Sequence, residues 1–172
     1  MMDASKYSVI ETLRDGSRVE IRALRASDRE ELLCAVARMS DESIYRRFFA
    51  PKRHFSEREI ESYLNIDFVS HVALVAVSSA GGGVIVAGGR YITVEPGIAE
   101  VAFSVDDAYQ RQGIGGLLMK HLTAIACQSG VRELLAEVLP MNAAMLRVFK
   151  KAGLEMTTHR AGGVLHIALR LR

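Results

Sequence analysis

The sequence predicts an α+β fold, with a mixed central sheet of about seven strands and about four helices. Three observations support this prediction. Residues 71–105 form three β-prone runs separated by Gly and Pro turns, residues 117–130 follow a glycine-rich loop and have the apolar spacing of a helix, and residues 134–139 form a short apolar run. A strand, a helix and a buried strand in this order predict two parallel strands joined by a right-handed crossover.

The first seventy residues predict a strand pair and two helices. Residues 7–24 contain two β-prone runs around Asp15–Gly16, a strong hairpin signal. Ser27 and Glu30 have the spacing of a capping box before a first helix, and Ser56 and Glu59 repeat it before a second. The aromatic-rich residues 44–49 between them are interpreted as a connection.

The remaining elements follow the same logic. Gly88 and Gly89 inside the middle run of the meander indicate a bulge, a close backbone approach or simply a weak point of the strand. The helix after the glycines should end at Gly130. Asn142 should cap a fourth helix that ends at Gly153, and two last strands follow around residues 161–163.

The amino-acid composition argues against several classes of function. The chain has 22 basic and 20 acidic residues, a formal net charge of +2, so it lacks the positive field that nucleic-acid binding requires. The pair Arg46–Arg47 is interpreted as a solvated helix face. Cys34 and Cys127 show no disulfide or zinc spacing and are expected to be buried. The five histidines are scattered, so no metal site is expected: His54, His71, His121, His159 and His166.

The sequence also predicts the cellular compartment of the protein. Residues 1–172 read as one domain without a linker or repeat. The start of the chain has no secretory-signal pattern, and no run approaches 18 apolar residues. We therefore expect a cytoplasmic protein that does not enter a membrane.

The glycine-rich loop is the strongest chemical signal. Gly113, Gly115 and Gly116 stand where a strand ending near Val105 passes into a helix, which brings free backbone N–H groups and a positive helix end together. Such a place binds phosphate. A P-loop is excluded because no Gly-Lys-Ser/Thr ending follows, and the next strand lacks the acidic ending of a dinucleotide site. The alternative is a turn that only packs strand against helix.

These residues carry a family resemblance. The run Gln110-Arg111-Gln112-Gly113-Ile114-Gly115 resembles the Gln/Arg-x-x-Gly-x-Gly/Ala motif of the GNAT superfamily of acetyl-CoA-dependent N-acyltransferases, and Asn142 to Leu154 resembles its later Asn-to-Gly segment. The resemblance runs from about residue 18 to the end. Residues 42–77 are similar to the bacterial Pat-type protein lysine acetyltransferase domain.

The resemblance implies a GNAT-like sheet splayed beside an acyl-CoA site and acetyl-CoA as acyl donor, without a metal. Backbone N–H groups of the glycine loop would hold the pyrophosphate, with Arg111 adding charge, and the pantetheine would lie along Phe103–Val105. Relatives commonly bulge there, and the Val105 N–H would face the thioester oxygen. Asn142 would bond the pantetheine, act as an ordinary N-cap, or do both. The implied cofactor-binding residues are Phe103, Ser104, Val105, Arg111, Gln112, Gly113, Ile114, Gly115, Gly116, Asn142 and Phe149.

An acceptor lysine needs a base, because its pKa of about 10.4 leaves on the order of one in a thousand neutral at pH 7. Glu100, thirteen residues before Gly113, resembles the glutamate base of protein lysine acetyltransferases in this superfamily and would act directly or through water. It shares a strand face with the small residues Ala102 and Ser104. The alternative is a solvent-facing strand glutamate.

One residue departs from the family pattern. Many relatives have a tyrosine where this chain has Phe149, and its hydroxyl is their proposed general acid. Phenylalanine cannot donate a proton, which favours a slower enzyme or a non-catalytic acyl-CoA binder. Tyr91 and Tyr109 are candidates for a substitute general acid, although packing roles fit them better. Asp67 either faces an incoming lysine or caps its own loop.

Three functions remain open at this stage. The leading one is an acetyl-CoA-dependent N-acetyltransferase that modifies a protein lysine, which the Pat resemblance suggests belongs to an acyl-CoA synthetase. The second is an acetyltransferase for a small-molecule amine, for which a closed acidic pocket is expected. The third is a non-catalytic acyl-CoA sensor. GNAT domains often dimerise through their sheets, and the sequence leaves a homodimer open.

Overall fold

The computed structural model describes residues 2–80 and 82–172 and shows one eight-stranded mixed sheet with five α-helices. The strands are β1 (Ser8–Thr12), β2 (Arg18–Ala23), β3 (His71–Ser78), β4 (Val84–Glu95), β5 (Ile98–Val105), β6 (Glu133–Val138), β7 (Glu155–Ala161) and β8 (Val164–Arg170). The helices are α1 (Arg29–Arg38), α2 (Asp41–Phe48), α3 (Glu57–Leu64), α4 (Ile114–Gln128) and α5 (Ala143–Lys151). The strand order is β1-β2-β3-β4-β5-β6-β8-β7.

The α+β class with a mixed sheet is confirmed, but the predicted element list misses one helix. Residues 41–48 form α2, where the sequence predicted a connection. The Ser40 side chain accepts from the Ser43 N–H, Asp41 and Glu42 occupy the first turn, and Phe49 ends the helix at φ 56°. The segment is short and rich in aromatic residues, which is more typical of a connection, so these helix-end signals were not recognised.

The two predicted capping boxes have opposite outcomes. The box of Ser56 and Glu59 is formed at the start of α3. The box of Ser27 and Glu30 is absent, because Asp28 precedes α1 and its carboxylate accepts from the Arg25 N–H and from the Arg22 guanidinium. The buried Arg22–Asp28 pair, joined at 2.8 Å, therefore fixes this helix start.

The ends of two helices and the contacts of Gly89 agree with what the sequence predicts. Gly130 and Gly153 follow the last residues of α4 and α5 with φ of 83° and 71°, as predicted. Gly89 marks a close approach, since a Cβ there would lie 2.6 Å from Phe103 Cδ1.

The cysteine prediction is wrong: Cys34 and Cys127 are exposed on the outer faces of α1 and α4.

The sheet separates two layers of helices. On one face α4 and α5 cover the larger core, with Leu118, Leu122 and Phe149 fully buried. On the other face Leu24, Ala73 and Val75 pack beneath α1 and the chain around α3. In the part of the chain that the structure describes, no helix has the length and apolarity needed to cross a membrane.

The sheet opens at one place that matters for the site. β5 and β6 are the parallel pair, and they are joined only from Ile98 with Glu133 to Glu100 with Leu135. β5 continues to Val105 and β6 to Val138, so the two strands diverge beyond Glu100. We call this opening the fork. The predicted splay between these strands is therefore present.

The expected bulge near Val105 is absent. β5 pairs with β4 in unbroken register from Ala99 to Val105. The extra residue instead belongs to β4, where Val86 has no partner between the pairs of Ala87 with Ala76 and Ile85 with Val77. The strand that borders the fork is consequently regular.

Candidate functional site

Two large concavities meet beside the fork. We call the one at the start of α4 the glycine cleft, with a volume of about 560 Å³, and the one beside β6 and β8 the sheet groove, with a volume of about 540 Å³. Five residues line both: Arg46, Arg47, Phe103, Asn142 and Met145. A molecule lying in one concavity can therefore present a group to the other.

The glycine loop has the geometry of an anion site. Gly113 precedes α4 with φ 90°, a left-handed conformation that favours glycine. Leu117 is the first residue of α4 whose backbone N–H has a backbone acceptor, and it donates to the Gly113 carbonyl at 3.1 Å. The N–H groups of Ile114, Gly115 and Gly116 therefore have no helical acceptor, and these residues line the glycine cleft.

The loop before these glycines is fixed from two sides. Asp107 accepts from the Ser40 hydroxyl at 2.8 Å and from the Ser43 hydroxyl at 3.2 Å, both near the start of α2. On the other side Arg14, from the β1–β2 turn, donates to the Arg111 carbonyl at 3.3 Å. Arg111 itself has φ 66°. These contacts hold the N–H groups in place before any ligand arrives.

Positive charge surrounds the glycine cleft. Its lining includes the cationic side chains of Arg14, Arg111, Arg147 and Lys151, together with Arg46 and Arg47, and no acidic residue of the described chain lines it. Phosphate groups are attracted to such a site both by the cations and by the start of α4. The cleft is thus suited to a phosphate-bearing ligand.

The edge of β5 faces the fork with free backbone groups. The Asp106 N–H donates to Val86 of β4 at 2.8 Å, so by the alternation of a strand the N–H groups of Val105 and Phe103 point away from β4, into the fork. The Val105 carbonyl accepts from the Gln110 side chain at 3.2 Å. An extended ligand with amide groups can therefore pair with this edge as an additional strand would.

Carboxylates and cations share the sheet groove. Glu100 is exposed on its β5 wall, and Glu137 lies on its β6 wall. Glu137, His166 and His159 are register partners across β6, β8 and β7, and the rings of the two histidines are 6.4 Å apart. Arg90 and Arg47 line the opposite side. The surroundings of Glu100 are thus polar, contrary to the apolar setting expected from its neighbours in sequence.

The predicted cofactor residues fall into two groups. The glycine cleft is lined by Phe103, Ser104, Val105, Arg111, Gly113, Ile114, Gly115, Gly116 and Asn142. Two others lie elsewhere. Gln112 is absent from the lining and buries a side-chain oxygen without a hydrogen-bond partner. Phe149 is fully buried, borders the sheet groove and packs against Phe103 with ring centroids 6.2 Å apart.

Asn142 stands at the junction of the two concavities. It is the N-cap of α5, with its Oδ1 accepting from the Met145 N–H at 3.2 Å. Its side-chain NH₂ group remains able to donate into the lining that both concavities share. The N-cap role is confirmed, and it leaves room for a ligand contact.

Two of the three remaining candidates have structural roles. Tyr91 is fully buried in the core, and burial raises its pKa. Asp67 accepts from the Ser70 hydroxyl and from the N–H groups of Val69, Ser70 and His71, and these bonds, that of the Ser70 hydroxyl first, lower its pKa to about 2. Asp67 thus caps its own loop. Tyr109 lines the glycine cleft.

The cations of the site are the functional residues that the sequence pattern does not predict. Arg46 and Arg47 are half-buried and line both concavities, so the interpretation as a solvated helix face is wrong. Recognising α2 would have helped, because adjacent residues of a helix point about 100° apart and one of them turns inward. Arg14 and Arg90 gave no signal in sequence, since only the folded sheet and hairpin bring them to the site.

The chain is similar in sequence to known acetyltransferases. A family model described as "Acetyltransferase (GNAT) domain" matches residues 18–155. The chain is 32% identical over 138 residues to Acetyltransferase PA5475 of Pseudomonas aeruginosa, covering 79% of this chain and 74% of that protein. It is 34% identical over 144 residues to Acetyltransferase Pat of Mycolicibacterium smegmatis, covering 82% of this chain but only 42% of that protein.

The solved structures add the fold. The GNAT domain of Pat from S. lividans superimposes with a TM-score of 0.87 at 35% identity, over 95% of this chain and 97% of that domain. The chain therefore belongs to the GNAT family of acetyltransferases.

Proposed function

We propose that this chain transfers the acetyl group of acetyl-CoA to the side-chain amine of a protein lysine, with Glu100 as general base. The observation that supports it most is the meeting of a cationic glycine cleft with a carboxylate-bearing groove at the fork. A donor held in the cleft and an acceptor held in the groove would approach each other along the edge of β5.

The glycine cleft fits coenzyme A by its own chemistry. The free N–H groups of Ile114, Gly115 and Gly116 would hold the pyrophosphate, and Arg14, Arg147 and Lys151 would neutralise its charge. Phe103 and Val105 would pair with the amides of the pantetheine at the fork, helped by the Asn142 NH₂ group. Acetyl-CoA supplies an acetyl group activated as a thioester.

Glu100 is proposed as the group that removes the amine proton. It stands five residues before Val105, about 16 Å along an extended strand, which exceeds the reach of a glutamate side chain. With the Val105 N–H donating to the thioester oxygen, the proton would reach Glu100 through water rather than directly. Exposure of Glu100 to the groove provides that water.

The shape of the sheet groove favours a protein acceptor. A small cationic amine would be expected to occupy a closed acidic pocket, whereas this groove is open, about 540 Å³ in volume, and includes Arg90 and Arg47 in its walls. A lysine on a protein surface can enter such a groove from solvent. The similarity to proteins named Pat points the same way.

Mass spectrometry of reactions with acetyl-CoA tests the proposal. The purified chain would be incubated with folded protein substrates, lysine peptides and a panel of free amines. Acetylation of lysine side chains, absent without enzyme, is the expected result. Modification of free amines alone would favour the small-molecule alternative, and acetyl-CoA binding without any transfer would favour the sensor.

A further inference from the structure

Two arginines of the sheet groove have no carboxylate partner. Arg90 lies on β4 and Arg47 on α2, and both line the sheet groove and the small apolar cavity beneath it. Among residues 2–80 and 82–172, no carboxylate lies within ion-pair distance of either guanidinium. Six other arginines do have one: Arg22, Arg29, Arg38, Arg46, Arg53 and Arg170.

Neutral groups hold Arg90 in position. It donates through one guanidinium nitrogen to the Tyr63 carbonyl at 3.2 Å and to His71 Nε2 at 3.1 Å, and its guanidinium lies 4.7 Å from the centroid of the Tyr63 ring. These contacts orient the planar fork and leave its other N–H donors for a ligand. Burial and the nearby Arg90 charge lower the pKa of His71, which keeps that histidine neutral at pH 7.

Arg47 adds a second charge near the first. Its guanidinium lies 5.0 Å from the centroid of the Phe48 ring and has no hydrogen-bond acceptor in the described chain. Burial, and then the charge of Arg47, lower the pKa of Arg90 to about 10, so Arg90 stays cationic at neutral pH and is repelled by the Arg47 guanidinium. Two half-buried like charges without a counterion are unfavourable, and a bound anion would relieve them.

The register places this pair beside Glu100. Arg90 is opposite Ala102, and Glu100 is opposite Ile92, so Arg90 and Glu100 are diagonal neighbours on one face of the sheet. Diagonal neighbours are separated by about 7–8 Å. In an extended peptide, side chains two residues apart on one face have nearly the same spacing, about 7 Å. A lysine at Glu100 would therefore bring a side chain two positions away to Arg90.

We propose that Arg47 and Arg90 bind a carboxylate of the acceptor, so that the preferred lysine has an aspartate or glutamate two residues before or after it. This inference rests on the proposed lysine acetylation and names its substrate class. The acidic side chain would hold the extended acceptor segment while the amine reaches the fork. Bidentate recognition by a planar guanidinium explains why arginine, rather than lysine, stands on β4.

Matched peptides test this inference. Two blocked heptapeptides would have a central lysine and either Glu or Gln both two residues before and two residues after it, and kcat/KM would be measured for both. We expect the wild-type chain to prefer the Glu peptide on the order of tenfold, the size of a charge-assisted hydrogen bond. Arg90→Gln and Arg47→Gln should reduce this preference to within about twofold.

Controls separate recognition from damage to the fold. Arg18→Gln removes an exposed arginine of β2 that lines neither concavity and should keep the full preference. Acetyl-CoA affinity should be unchanged in Arg90→Gln, since Arg90 does not line the glycine cleft. Should Arg90→Gln fail to fold, the wild-type preference remains decisive, and Arg90→Lys, which keeps the charge but loses the planar fork, should show a reduced preference.

A third peptide identifies the source of the carboxylate. It ends in lysine with a free α-carboxylate and has no acidic side chain, and it is compared with its amide. A preference confined to this peptide would overturn the assignment to an internal acidic residue. Equal rates for the Glu and Gln peptides would overturn the inference and leave lysine acetylation intact, whereas no acetylation of any peptide would overturn both.

Discussion

Glu100 and Leu135 form the last residue pair that joins β5 to β6, and the fork begins immediately beyond them. The one carboxylate on the β5 wall of the sheet groove thus stands where the two parallel strands separate. The same fork exposes the N–H groups of Phe103 and Val105. Sheet topology alone therefore brings a proton acceptor and backbone donors to one opening.

Replacing Glu100 by glutamine should abolish most of the turnover without changing donor binding. Because a positioned base contributes about 10²- to 10⁴-fold, Glu100→Gln should lower kcat by about 10²-fold or more at pH 7. The loss should shrink toward pH 10, where about a third of a lysine of pKa about 10.4 is neutral without the help of a base. Steady-state kinetics across this pH range measure both effects.

Glu137 provides the matched control for this prediction. It lies in the same groove on β6, across the fork from Glu100, so Glu137→Gln changes the local charge equally. We expect Glu137→Gln to retain kcat within about threefold, since general-base catalysis requires a positioned group and not only charge. The opposite pattern, with Glu137→Gln the slower variant, would transfer the base to β6.

Gly113→Ala should impair the binding of acetyl-CoA. Gly113 has φ 90°, and a side chain in this conformation would shift the loop that presents the N–H groups of α4. We expect a Kd increase of about tenfold or more, measured by titration calorimetry. Gly130→Ala is the control, because Gly130 has φ 83° at the other end of α4 and lines neither concavity. Equal affinities of the two variants would contradict the assigned role of the loop.

Phe149→Tyr should raise the turnover of this chain. The added hydroxyl would lie beside the sheet groove, where it can give a proton to the departing thiolate, and we expect kcat to rise about tenfold at pH 7. The gain should fade above about pH 8.5, where a thiolate leaves without a proton. Phe55→Tyr is the control, because Phe55 lines neither the sheet groove nor the glycine cleft. A kcat that stays unchanged in a well-folded Phe149→Tyr would show that leaving-group protonation does not limit the rate.

Asp67→Asn should destabilise the fold at neutral pH. Hydrogen bonds from Ser70 and its neighbours lower the pKa of Asp67 to about 2 from its ordinary value of 3.8, so its contribution is complete above about pH 4 and is lost as the pH falls toward 2. Because Asp67 is exposed, the free energy of unfolding should fall by only about 1 kcal/mol at pH 7. Urea denaturation at pH 7 and pH 3 measures the difference, which should be smaller at pH 3.

Glu61→Gln serves as the control for Asp67, since Glu61 is an exposed carboxylate on α3 whose side chain forms no hydrogen bond within the described residues. Its free energy of unfolding should match the wild type at both pH values. A pH-independent loss in Asp67→Asn would contradict the hydrogen-bonded account of this loop.

Local signals in the sequence were sufficient for most of the fold. The Asp15–Gly16 turn, the Ser56 box and the glycines at positions 130 and 153 each depend on neighbouring residues, and the structure confirms them. The start of α1 was mispredicted because Asp28 is drawn to Arg22, a contact decided by strand β2. The helix α2 was missed because its aromatic residues obscured the Ser40 cap.

The glycine cleft was more predictable than the sheet groove. Its glycines are contiguous, and their chemistry can be inferred from one loop and one helix start. The cations of the groove come from β4 and α2, separated by more than forty residues, and only the strand register places Arg90 diagonal to Glu100. The absence of a bulge in β5 could not be predicted for the same reason. The pairing of the strands determines that the extra residue, Val86, lies in β4 instead.

Titration of the wild-type chain with acetyl-CoA tests the central claim most directly, because donor binding in the glycine cleft precedes every catalytic step proposed. We predict one site per chain with a Kd on the order of micromolar, weakened by salt because Arg14, Arg147 and Lys151 neutralise phosphate charge. The absence of binding at about millimolar acetyl-CoA would contradict the account and reduce the glycine loop to a packing turn.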